Sequence, residues 1–78
     1  MRERSLKMEL RSDMTAVVLS VEHGVGDRVS AGDEVIVLES MKMEIPIVAE
    51  ADGVVAQVLV SAGTTVNARD LLAVIDRD

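Results

Sequence analysis

The 78-residue chain has no cysteine, no phenylalanine, tyrosine or tryptophan, one proline, one histidine and only two lysines. Without cysteine there are no disulfides and no thiolate metal ligands to staple a domain near the lower size limit for a self-sufficient core. Without aromatics there are no stacking platforms for bases, and a net charge of −6 provides no basic surface for phosphates, so no nucleic acid partner is expected. No apolar run is long enough for a signal peptide or a membrane span. No membrane partner is expected either, and the default location is the cytoplasm or an equivalent reducing compartment. The lone histidine, His23 in "SVEHGVGD", reads as a solvated residue that ends a strand before a glycine turn, and no metal site is expected.

What the chain does have is aliphatic: 49% of its residues are hydrophobic, all of them Val, Ile, Leu, Ala or Met. That content buries enough surface to offset the entropy of ordering, so the chain reads as folded. Short Val-rich runs separated by Gly, Asp and Asn every 8 to 12 residues or so predict an all-β domain. "AVVLSVEHGVGDRV" places Val17, Leu19 and Val21 on one face, and "GDEVIVLES" places Val35, Val37 and Glu39 on one face with Ile36 and Leu38 on the other. Pro46 demotes its strand to an edge or a bend. "GVVAQVLVSAGTTV" and "DLLAVID" supply the remaining strands, and no window keeps a helical apolar stripe. Residues 1–7, "MRERSLK", read as a charged, mobile leader, with the domain spanning 8–78. The expected core includes Leu19, Val37, Val58 and Val74.

An internal repeat organises the rest. Residues 16–39, shifted by 37 positions, fall on 53–76: Val17 meets Val54, Val21 meets Val58, Gly26 meets Gly63, Val29 meets Val66, Asp33 meets Asp70 and Val37 meets Val74. Two copies of one strand–turn–strand unit about an approximate two-fold axis are predicted, each covering the apolar face of the other. Residues 40–52 then read as the linker between copies, and its start, "SMKM", falls at the pole opposite the chain termini.

Met41 and Lys42 would be the central pair of that hairpin. They are poor turn residues, because the favoured two-residue turns need positive φ at both positions and select Asn-Gly or Asp-Gly. Two readings remain open from turn chemistry: a loose exposed loop with an ordinary solvated lysine, or a rule broken at a functional site.

The segment "ESMKMEIPIVAEADG", with the upstream "GDRVSAGDEVIVLES" and the downstream "DGVVAQVLVSAGTTVNARDLLAVID", resembles the biotinyl domains of the biotin carboxyl carrier family. The resemblance covers about residues 8 to 76, and Gly26 and Gly53 fall where such domains turn at glycine. In size the chain is most similar to free-standing, single-domain biotin/lipoyl attachment proteins. It departs from the family at the first turn, where "RSDMTAVV" keeps Met14 but has Asp13 in place of a proline and Ala16 in place of a glycine.

The resemblance implies a flattened barrel-sandwich hybrid of two four-stranded antiparallel sheets, without the protruding thumb of some carboxyl carriers. It implies that Lys42 takes biotin in amide linkage from a biotin–protein ligase, that Met41 and Met43 govern how partner enzymes handle the biotin, and that Glu39 serves ligase recognition. One alternative for Met43 is packing on the sheet end, and for Glu39 an ordinary strand-end charge. By the same resemblance the domain is a non-catalytic carrier. Biotin on Lys42 is carboxylated by a biotin carboxylase and delivers its carboxyl group to a carboxyltransferase, as in an acyl-CoA carboxylase. No residue of the chain forms a nucleophile–His pair, a phosphate loop or an acid/base pair of its own. A lipoyl carrier, with lipoate on Lys42, is the alternative, against which Met41 and Met43 count.

Overall fold

Every regular element of the computed structural model, which describes residues 6–78, is a strand. The strands are β1 (Lys7–Arg11), β2 (Ala16–Val21), β3 (Arg28–Val29), β4 (Glu34–Ser40), β5 (Met43–Val48), β6 (Gly53–Val58), β7 (Thr65–Val66) and β8 (Leu71–Arg77). They form two four-stranded antiparallel sheets, ordered β1-β8-β6-β3 and β5-β4-β2-β7. The polar segments between strands turn where short acceptors tie the backbone. Asp27 Oδ2 takes the N–H of Gly24, Asp33 Oδ2 that of Ser30 and Asp70 Oδ2 that of Asn67, each at 2.8 Å. Gly26 and Gly63 sit at φ 93° and 94°, a left-handed conformation that glycine adopts without a Cβ penalty.

The repeat extends further than the sequence reading had it. At the 37-residue offset β2 falls on β6, β3 on β7 and β4 on β8, residue for residue, and β1 falls within β5. Residues 40–52, read as a linker, therefore contain the first strand of the second copy. Only the inward residues match there, Met8 with Ile45 and Leu10 with Ile47, while the outward ones changed chemistry, which hid the correspondence. Even the irregularities repeat: the ladder slips at Leu19 and again at Ala56, and at Val35 and again at Leu72.

The β2 bulge corrects the expected core. Ala16 and Val18 face inward, whereas Val17 and Leu19 are each 42% exposed. Leu19 is the extra residue, and beyond it the strand is re-phased so that Val21 packs against the core. Val58 is half-buried against the core, and Val37 and Val74 are buried but lie outside the central cluster. That cluster is built on Val18, Val35, Ile36, Leu38, Val55, Leu72 and Ile75. The sheets are also joined through backbone: Gly26 N–H donates to Val55 O and, one repeat on, Gly63 N–H donates to Val18 O, both at 2.8 Å.

Strand structure begins one residue before the expected domain start at residue 8. Lys7 opens β1 opposite Asp76, and its Nζ lies 2.6 Å from Asp76 Oδ1. A backbone ladder with an exposed ion pair fixes that position; residues 1–5 lie outside the described residues. Ala16, the departure from the family's glycine, is 5% exposed opposite Val66. Its counterpart Gly53 has no such latitude, because a Cβ there would run into the backbone carbonyl of Asp76. His23 is half-buried, and its Nδ1 lies 2.9 Å from the carbonyl of Glu34, which ties the end of β2 to the start of β4.

Candidate attachment site at the β4–β5 tip

The ladder between β4 and β5 runs through Leu38–Ile45 and Glu39–Glu44 to a last rung at Ser40–Met43. Only Met41 and Lys42 are left to reverse the chain, and both are left-handed, with φ 52° and 66°. This is the conformation that a primed two-residue turn requires, made without Asn or Gly. Each non-glycine residue held there costs about 1–2 kcal/mol. The geometry persists because pairing on both sides leaves no other closure.

Every sequence-derived site residue lies at this tip. Lys42 is exposed, and its ammonium makes no hydrogen bond or ion pair with any described residue. Met41 is 88% exposed and Met43 60%, so neither thioether packs into the sheet end. Glu39 is exposed on the outer face of its sheet, one rung behind Ser40–Met43. An unhindered primary amine on a four-carbon stem, standing clear of its own domain, suits acylation inside another protein's active site. The two flanking thioethers offer polarizable surface that adapts to different partners.

One residue at the tip escaped the sequence reading. Glu44 stands directly opposite Glu39, so two carboxylates share a cross-strand rung with no cation bonded to either among the described residues. Like charges so placed destabilise a sheet. Counting outward from the Met41–Lys42 turn would have found the pair, once both residues were taken as the whole loop.

Among the described residues, no three His, Cys, Asp or Glu side chains converge as metal ligands, and no helix is long and apolar enough to cross a membrane. A groove of about 370 Å³ lies between the edge strands β1 and β5, lined by Glu9, Arg11, Asp13, Pro46 and Glu50 among others, and does not include Lys42. An exposed ion pair stands at the end of the other sheet. There Arg28 Nη1 lies 2.8 Å from Asp78 Oδ2, and that hydrogen bond holds the Asp78 carboxyl below its ordinary range and raises the Arg28 guanidinium.

Residues 8–75 match the model of the Biotin_lipoyl family, described as "Biotin-requiring enzyme". The chain is 46% identical over 67 residues to the biotinylated protein TB7.3 homolog of Mycobacterium leprae, covering 86% of this chain and 94% of that protein. It is 43% identical over 65 residues to the biotin/lipoyl attachment protein of Bacillus subtilis, covering 83% and 89%. Among solved structures it superposes on part of a single-chain, multi-domain long-chain acyl-CoA carboxylase with a TM-score of 0.88 at 29% identity, covering 100% of this chain and 8% of that one.

Proposed function

The chain belongs to the biotin/lipoyl attachment family, and we propose that it is a biotin carboxyl carrier that holds biotin on Lys42 and acts in the cytoplasm. The observation that carries this is the tip itself: a free, exposed lysine between two exposed methionines, on a turn whose conformation disfavours both of its residues. A biotin–protein ligase joins biotin to Lys42 Nζ as an amide: the C–N bond forms as the C–O bond of the activated carboxyl breaks, the activating group leaves with that oxygen, and the ammonium gives up two protons and its charge. A biotin carboxylase then loads the bound biotin and a carboxyltransferase, of the acyl-CoA type, unloads it. Met41 and Met43 present the contact surface to these enzymes, and Glu39 serves recognition by the ligase. The domain performs no bond chemistry; it tethers the carried group and so raises its effective concentration at two active sites in turn.

Intact mass after co-expression with a biotin–protein ligase tests the proposal: one biotin per chain is expected, and none on Lys42→Arg, which keeps its fold. Biotin remaining on that variant would place the site at Lys7, the other lysine, and overturn the reading. Lipoate on the same lysine is the second reading, kept because the Bacillus subtilis relative carries both cofactors in its name. The added mass tells the two apart.

A further inference from the structure

The two-fold repeat supplies its own control, because every position on the outer face of one sheet has a counterpart on the other. The rung behind the tip runs Thr65, Val17, Glu39, Glu44 across β7, β2, β4 and β5. Its counterpart runs Arg28, Val54, Asp76, Lys7 across β3, β6, β8 and β1. The counterpart is balanced: Lys7 bonds Asp76 at 2.6 Å, and Arg28 bonds Asp78 at 2.8 Å. The rung near Lys42 has two carboxylates and no cation.

The next rung repeats the contrast. It carries Ser20, Val37 and Pro46 near Lys42, with the bulged Leu19 beside Ser20, where the other sheet carries Gln57, Val74 and Glu9, with the bulged Ala56 beside Gln57. Leu19, on its bulge, and Val17 are each 42% exposed and reach solvent on that outer face. One backbone has thus been given a charge-balanced face on one sheet, and on the other an apolar strip bordered by two unpaired acids.

We propose that the outer face of the β5-β4-β2-β7 sheet, Val17, Leu19 and Pro46 with Glu39 and Glu44, is the docking surface for the enzyme that acylates Lys42, which meets it with an apolar strip and at least one cation. The proposal rests on Lys42 being the attachment site. That enzyme must bring its reacting centre to within a lysine stem of the turn, and at ~3.3 Å per residue the Glu39–Glu44 rung lies only about 7–10 Å along the strands. An enzyme that later receives the carried group works at the length of the whole arm and has no such need to cover this rung. A second copy of the chain fits poorly, because a two-fold contact through this face would set four carboxylates against one another.

The test measures steady-state biotin incorporation by a biotin–protein ligase into wild type, Leu19→Ser and Glu44→Lys, with Ala56→Ser and Lys7→Glu as the two-fold-related controls. Each of the first two is expected to lose about tenfold in kcat/KM, mainly through KM, as for a residue in a contact that matters. The controls should stay within about twofold of wild type. Glu44→Lys removes a like-charge pair, so its melting temperature should not fall, which separates lost docking from lost folding. Equal incorporation by all variants, or equal loss in the controls, overturns the docking surface. A concentration-dependent dimer of wild type that Leu19→Ser dissolves assigns the face to self-association and also overturns it. If wild type takes up no biotin, the attachment site itself fails and this surface with it.

Discussion

Replacing Met41-Lys42 by Asn-Gly should make the domain more stable while abolishing its modification. Both residues are held at positive φ, 52° and 66°. At about 1–2 kcal/mol for each, the turn stores roughly 2–4 kcal/mol relative to residues that accept the conformation. Asn tolerates the left-handed region at little cost and Gly at none, but Gly loses about 0.5–1 kcal/mol more in backbone entropy on folding. The net gain is about 1–2 kcal/mol, allowing for residual strain at Asn. Since ~1 kcal/mol moves the midpoint of a domain this size by about 4–8 °C, a rise of roughly 4–15 °C is expected in thermal unfolding followed by circular dichroism. Lys42→Arg is the companion: it blocks attachment but keeps a bulky residue at φ 66°, so its midpoint should match wild type. A midpoint for the Asn-Gly variant at or below that of wild type would refute the claim that the tip is strained.

Other expectations follow from the core and from the surface pairs. Gly53→Ala should cost about 3 kcal/mol or more, because its Cβ meets the Asp76 carbonyl and Ile75 Cγ2 rather than a yielding side-chain end; Ala16→Gly at the equivalent position should cost only ~0.5–1 kcal/mol in chemical denaturation. Leu38→Ala, in the buried cluster, should lose about 2–5 kcal/mol, whereas Leu19→Ala should lose within ~0.5 kcal/mol of nothing, since Leu19 lies on the surface. The Asp78 carboxyl is held below its ordinary value by Arg28, so the folded state binds that proton less readily than the unfolded chain. The pair's contribution is therefore complete above the ordinary carboxylate range near pH ~4 and fades as pH falls through the lowered value. Melting temperatures of wild type and Arg28→Gln should converge towards acid, and a gap that widened there would contradict the pairing.

The strand pattern and the two-fold were legible because their signals are local. Gly26 and Gly63, Asp33 and Asp70, and the Val runs between them recur at one offset whatever the tertiary structure does. The candidate lysine stood out in the sequence because its neighbours belong to a recurring motif. The face of β2 was not. Simple alternation put Val17, Leu19 and Val21 together, but a bulge at Leu19 breaks the period of two, and nothing in "VVLSV" marks where the extra residue falls. The first strand of each copy was missed for a related reason. β1 and β5 share only their inward residues, and the outward ones, Lys7, Glu9 and Arg11 against Glu44, Pro46 and Val48, have no chemistry in common. Sequence similarity between repeats fades where the two faces have been put to different uses.

On the reading proposed for Lys42, that divergence explains why the attachment lysine sits at this tip. β4 and β8 are equivalent strands, but β8 leads out to the end of the described chain, while β4 must return at once into β5. Joining the two copies forces a tight reversal at one place in the fold, between Ser40 and Met43, and a two-residue reversal there requires left-handed backbone whatever the side chains. A loop that relaxed the strain would also lengthen and loosen, and Lys42 would sweep a larger volume at lower effective concentration for any enzyme seated on the sheet behind it. The short turn instead fixes the lysine backbone to the Ser40–Met43 rung and leaves motion to the side chain. The strain at Met41 and Lys42 is then the cost of a rigid mount. The ladder of β4 with β5 bears it because Ile36 and Leu38, the inward residues of β4, have no solvent exposure at all.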